Sequence, residues 1–338
     1  MTTPAVTTPA ASKQTGALKR FATWDVVVLV ALVLVIVIGS AAVEGVGSPQ
    51  FWRFVTLEVV PIAIIALPMT LVVITGEIDL SVASVLGLTC AVMGDLWAHG
   101  VTSLPLLIVL CLLLGAVLGA INGLFITVFG LPSLAVTIGT LALYRGLAYV
   151  VLGDKAVADY PVTWTDNAIA PIPGLTIPWV IIVVAVLAVV FGLVLHATPI
   201  GRGLYAMGNN AEAARFAGVA VARTKFWLFV STGMMASLAG VFWTFRFASA
   251  RADNGDGLEL AVVAAVLLGG VSIFGGRGGL IGVLGAVVLL STLRNALQLA
   301  NVQANTLTIV TGSLLIASVV GPNVVGMARE RLRRRRTA

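Results

Sequence analysis

The sequence predicts an all-α, polytopic membrane protein with about ten transmembrane helices. Hydrophobic residues fill 59% of its 338 positions, while Asp, Glu, Lys and Arg together fill 10%. An average soluble domain carries about 25% charged residues. Apolar runs near twenty residues recur from end to end. Each is long enough to cross a hydrocarbon core of roughly 30 Å at about 1.5 Å per residue. Lipid offers the backbone no hydrogen-bond partners, and the runs are continuous rather than alternating, so helices are expected and barrel strands are not.

Taken in order, the spans fall at 26–43, 55–75, 80–97, 104–129, 131–152, 177–195, 225–245, 258–274, 280–300 and 306–322. A polar tail, 1–23, precedes them and is expected to be disordered and cytoplasmic. Ser40-Ala41-Ala42 imitates a signal-peptide cleavage site, but a retained signal-anchor helix is the better reading. Pro132 marks the junction between the fourth and fifth spans. The membrane domain is expected over 24–325, followed by a basic cytoplasmic tail, 326–338. With both termini inside, fourteen Lys and Arg fall in inner segments and four in outer ones, which selects that orientation. The Arg329–Arg336 cluster suits the anionic lipid of an inner leaflet better than nucleic acid.

A weak internal repeat divides the chain. Asp79-Leu80-Ser81-Val82 resembles Glu259-Leu260-Ala261-Val262, and Asn122-Gly123-Leu124 resembles Asn295-Ala296-Leu297 at an offset of 173 residues. Five spans per half would make this an inverted repeat, as in transporters that enclose a midplane pathway.

Several motifs carry candidate roles. Gly76-Glu77-Ile78-Asp79-Leu80-Ser81 sets two carboxylates between apolar spans. Asp79 suits an N-cap of the third span, a pathway or gating role, or both. Gly115, Gly119 and Gly123 recur every four residues and predict a close helix–helix approach. Asn122 beside them suits an interhelical hydrogen bond or the pathway. Arg145 and Arg294 are intramembrane cations, which either snorkel or pair inside the bundle. The candidate pathway and gating set is therefore Asp79, Ser81, Asn122, Arg145 and Asn295. Gly275-Gly276-Arg277-Gly278-Gly279 reads as a tight turn, because a phosphate-binding P-loop needs a Gly-Lys-Ser/Thr ending that is absent here. ATP and its magnesium would then belong to a partner chain, with no cofactor in this one. Cys90 and Cys111 read as apolar packing residues, and His99 and His196 offer no metal spacing.

The loop 196–224 is the most polar stretch between spans. Asn209 with Glu212 resembles a capping box, Ala211, Ala213, Ala214 and Ala217 favour helix, and Gly218 suits its C-terminal cap. This predicts a short helix with Arg215 and one exposed aromatic, Phe216, shaped to enter a groove on another protein. An interfacial helix resting on lipid is the alternative.

The combination of Gly76–Ser81, Pro132-Ser133-Leu134-Ala135-Val136-Thr137-Ile138-Gly139-Thr140, the 198–225 loop and Ala264-Ala265-Val266-Leu267-Leu268-Gly269-Gly270 resembles the ribose-type permeases of binding-protein-dependent ABC importers. The resemblance covers about 24–325. It implies a bacterial inner-membrane permease dimer, identical or mixed, with an ABC ATPase and an extracytoplasmic sugar-binding protein as partners. It also implies that the loop carrying Gly201, Arg202, Asn209, Glu212, Ala213, Arg215, Phe216 and Gly218 couples to the ATPase. Ala66-Leu67-Pro68-Met69-Thr70 and Ser249-Ala250-Arg251-Ala252-Asp253 look like the subgroup importing rhamnose or autoinducer-2. Glu77 departs from the pattern, since many relatives have Gly there. The rival readings are an ion-coupled transporter of a small polar solute, which needs carboxylates near the midplane, and a membrane enzyme, for which no paired His or serine elbow is present.

Overall fold

The computed structural model describes residues 13–303, together with single helical positions at 306, 309, 312, 313 and 316. The expected last span at 306–322 and the basic tail lie outside the described residues, apart from those five positions. Twelve helices are described: α1 (Lys13–Ala42), α2 (Pro49–Ile74), α3 (Val82–Ala98), α4 (Leu104–Thr127), α5 (Ser133–Leu152), α6 (Val162–Ile169), α7 (Ile181–Ala197), α8 (Pro199–Asn209), α9 (Ala211–Phe216), α10 (Val221–Arg246), α11 (Leu258–Leu268) and α12 (Leu280–Leu299). Residues 13–23, read from sequence as part of the polar tail, form the start of α1.

Among the described residues, six helices are long and apolar enough to cross a membrane, or seven if α7 and α8, bent by 70° at Thr198, count as one span. Two of the expected spans are shorter. α3 has 17 residues and α11 only 11. α11 stops at Leu268 rather than 274, because Gly269 caps it and Gly270, Gly275 and Gly276 then take positive φ. Only glycine takes that conformation routinely. The Ser272 amide donates to the Arg277 carbonyl (3.0 Å), so the glycine run is the tight turn expected of it.

α2 is the central post and is buried along almost its whole length. It keeps Pro61 and Pro68 inside the helix. Membrane helices tolerate such prolines because their neighbours re-satisfy the freed carbonyls. α10 packs against α2, α3 and, most extensively, α4. The α4–α10 seam is where the glycine spacing acts. A Cβ on Gly115 would lie 2.7 Å from the Ser237 Cβ, one on Gly119 2.9 Å from the Phe229 carbonyl carbon, and one on Gly123 3.0 Å from the Phe226 ring. Backbone meets backbone there, and dispersion between close helices is the attraction available in lipid. Along the seam, Thr89 and Ser237 share a hydroxyl hydrogen bond of 2.7 Å between α3 and α10.

At one end of the bundle, Trp97, Tyr160, Trp164 and Phe245 form a chain of ring contacts 5.4–6.1 Å between centroids. These rings dock the 153–180 segment, including α6, over α3 and α10. The loop after α10 is fastened to the same segment through paired amide bonds between Val157 and Ala250 (3.0 and 2.8 Å). α8 and α9 lie at the opposite end, where α10 begins.

Candidate functional site

The segment 75–81 between α2 and α3 sits inside the bundle. Asp79 is 1% exposed. Its Oδ1 accepts from the Ser81 amide (3.0 Å) and the Ser81 hydroxyl (2.6 Å), and its Oδ2 accepts from the Thr232 hydroxyl (2.8 Å). Asn122 Nδ2 donates to Ser81 Oγ (2.8 Å), and the Tyr144 hydroxyl donates to the Leu118 carbonyl (3.0 Å) beside the Asn122 amide oxygen. One buried polar chain thus joins α3, α4, α5 and α10. A buried polar group left without a partner is costly, so a fully connected network fixes a single arrangement. Asp79 caps the turn entering α3, while the cap residue of the helix itself, Ser81, makes no side-chain cap bond.

α5 brackets the same segment. Ser133 Oγ accepts from the Ile78 amide (3.2 Å), and Thr137 Oγ1 donates to the Ile78 carbonyl (3.3 Å). Both residues belong to the Pro132–Thr140 motif, so the motif holds this turn in place. Glu77 pairs with Lys225 in the first turns of α10, with both side chains mostly buried. This pairing answers the Glu77 charge inside the bundle.

Arg145 lies one residue beyond Tyr144 but faces a different partner. Its guanidinium donates to the carbonyls of Ala252 (2.7 Å), Asn254 (3.0 Å) and Ala83 (3.4 Å). It pairs inside the bundle and does not snorkel. Arg294 is paired too: its Nη1 lies 3.2 Å from Glu58 Oε1, and Arg246 Nη2 lies 3.4 Å from Oε2 of the same carboxylate. Among the described residues, Asn295 donates only to the Ser291 carbonyl of its own helix (2.9 Å) and is not joined to the Asp79 network. Glu58, Tyr144, Lys225 and Thr232 were not singled out from sequence. The rule that flagged Arg145 and Arg294, a charge inside an apolar run, points equally to Glu58.

The polar loop folds as two helices. Thr198 accepts from the Gly201 amide (3.4 Å) at the head of α8, and Gly201 lies where any Cβ would overlap the end of α7. The cap of α9 is Asn210, whose Oδ1 accepts from the Ala213 amide (2.9 Å), and not Asn209. Asn209 instead donates to the Tyr205 carbonyl (2.7 Å) as the last residue of α8. The sequence offers two adjacent asparagines, and the bend between helices decides which one caps. Gly218 closes α9 as expected, at φ +87°, with the Gly218 amide on the Arg215 carbonyl and the Val219 amide on the Ala214 carbonyl (both 3.0 Å). This is a Schellman ending. Phe216 is 80% exposed. Arg202, Glu212 and Arg215 make no ion pair among the described residues.

A bundle of long apolar helices around a buried polar turn, with a capped helix and a bare aromatic at one end, defines a multi-pass membrane protein. Comparison with known proteins gives the particular class. The family described as the permease component of the branched-chain amino acid transport system matches residues 53–319, and the chain belongs to it. It is therefore a permease component of an ABC transporter, a non-catalytic membrane subunit, and membership implies ATPase and binding-protein partners. The autoinducer 2 import system permease protein LsrD of Escherichia coli K12 is 35% identical over 307 residues, 89% of this chain and 92% of its own. LsrD of Shigella flexneri shows the same identity and coverage. No solved structure matches.

Proposed function

We propose that the chain forms, with a second permease copy, the pathway by which a sugar-like solute crosses the bacterial inner membrane. The candidate solutes are autoinducer-2, rhamnose or a ribose-like monosaccharide. The observation that carries this reading is the likeness to autoinducer 2 import permeases over nearly the full length of both chains. A binding protein delivers the solute outside, and ATP hydrolysis in a partner subunit drives alternating access. Ten passes in an inverted five-plus-five arrangement agree with six long spans, the bent α7–α8, the short α3 and α11, and an apolar run at 306–322. Both termini lie inside, as the basic asymmetry favours.

In this reading α9 is the coupling element. Gly201 and Arg202 shape the approach through α8, Asn209 ends α8, and Gly218 fixes the exit. Glu212, Ala213, Arg215 and Phe216 present the contact. Asp79, Ser81 and Asn122 set the position of α3 beside the pathway, and Arg145 acts at its other side. An ion-coupled mechanism would need a carboxylate able to bind the ion. The Asp79 carboxylate already accepts three hydrogen bonds from the protein itself.

Affinity purification of the tagged chain from membranes in mild detergent tests the assembly. A P-loop ATPase and a binding protein should co-purify. Recovery of the chain with no ATPase, from cells that take up the solute through it, would overturn the reading.

A further inference from the structure

α11 has 11 residues and spans about 16 Å, roughly half a hydrocarbon core. The loop that leads into it, 247–257, leaves the end of α10 remote from α9 and turns back into the bundle. Its depth is fixed by contacts. A Cβ on Gly255 would lie 2.7 Å from Leu86 Cδ2 and 3.5 Å from the Ala83 carbonyl oxygen, in the first turns of α3. Ala83 lies four residues beyond Asp79, in the first turn of α3, so the tip of this loop and the buried polar turn both lie at the start of α3.

Arg145 makes that junction. Three carbonyls, two from the loop and one from α3, converge on its guanidinium at 2.7, 3.0 and 3.4 Å. Asp256 stands 3.8 Å away and is largely exposed, so it adds little. Gly87 is what admits the guanidinium. A Cβ there would overlap Arg145 Nη1 and sit 2.9 Å from the Asn254 carbonyl oxygen. The base of the loop is held separately, by the Val157–Ala250 amide pair. Arg145 therefore controls the tip and not the base. Glycines at φ +72° (Gly255) and +77° (Gly257) sit between the latched carbonyls and α11, where the backbone can turn.

We propose that Arg145 is the latch of an outer gate: it holds 252–256 down on α3, and outward opening of the pathway requires its carbonyl bonds to be released. Arg145 is a positioning residue here, acting on the loop and not on the solute. The proposal rests on the permease reading and on α9 lying in the cytoplasm.

The test uses the assembled importer in membranes, with Cys90 and Cys111 replaced by Ala and a reporter Ala252→Cys. Ala252 is buried while the loop is latched. A membrane-impermeant maleimide added from outside should label the reporter slowly in the parent. Losing charge-assisted bonds of ordinary strength shifts such an equilibrium by about tenfold or more, so Arg145→Ala should label about tenfold faster. Gly87→Ala should do the same with Arg145 intact. Arg145→Lys should resemble Arg145→Ala, because one ammonium nitrogen cannot stand both where Nη1 meets the loop carbonyls and where Nη2 meets the α3 carbonyl, while Asp256→Asn should label at the parent rate. Unchanged labelling in assembled Arg145→Ala and Gly87→Ala importers would overturn the latch, as would full rescue by Lys. Labelling only from the cytoplasmic face, in every variant, would instead refute the orientation on which the proposal depends.

Discussion

The α4–α10 seam gives the sharpest stability prediction. Gly119→Ala places a methyl 2.9 Å from the Phe229 carbonyl carbon and 3.0 Å from Val230 Cα. Ordinary carbon contacts lie at about 3.5–4.0 Å, so the helices must part by about 0.5 Å or more. The obstacle is backbone, which cannot swing aside as a side chain would. Overpacking of this kind typically costs about 1–3 kcal/mol. Gly139→Ala on α5 is the matched control, since a Cβ there meets nothing within 4 Å. Both substitutions share the helix-propensity gain of Ala over Gly, so the difference between them isolates the steric cost. Reversible denaturant unfolding in detergent should place Gly119→Ala about 1–3 kcal/mol below Gly139→Ala. Equal stability of the two variants would refute the backbone-on-backbone packing.

Two other predictions concern the turn before α3. Removing either charge of the Glu77–Lys225 pair, as Glu77→Gln or Lys225→Met, should lower stability by about 1–3 kcal/mol in the same unfolding assay, because it strands a largely buried charge; the double variant should recover most of the loss, and a double variant as unstable as the sum would contradict the pairing. Asp79→Ser keeps an oxygen able to cap the turn but removes the charge and the reach to Thr232. Its assembled level should stay near the parent's, since a lost cap costs only about 0.5–2 kcal/mol, while solute uptake should fall sharply; uptake at the parent rate would leave Asp79 with a capping role alone.

The long apolar helices were legible because span length and hydropathy fix them locally. α4, α5 and α12 end within two residues of their expected limits. The glycine face of α4 was legible as a close approach, though its partner, over a hundred residues away, was not. What escaped the sequence reading depends on chain segments meeting in space. Glu77 and Lys225 are 148 positions apart, and Thr232 reaches Asp79 across 153. The α7–α8 bend hid the true cap of α9, because Asn209 and Asn210 are equally good caps until the direction of the chain is known. The early end of α11 was masked by apolar residues around the glycine turn: Val271, Ile273 and Phe274 extend the hydropathy of the span but not its helix.

In the proposed assembly α9 receives the motion of a cytoplasmic ATPase. Single cysteines at Ala213→Cys and Phe216→Cys, with a control at Leu131→Cys in the α4–α5 loop, can be placed in membranes containing the co-produced ATPase subunit. A short bifunctional reagent should crosslink the α9 positions to the ATPase, with the control remaining free. Crosslinking through Leu131→Cys but through neither α9 position would show that α9 is not the coupling element.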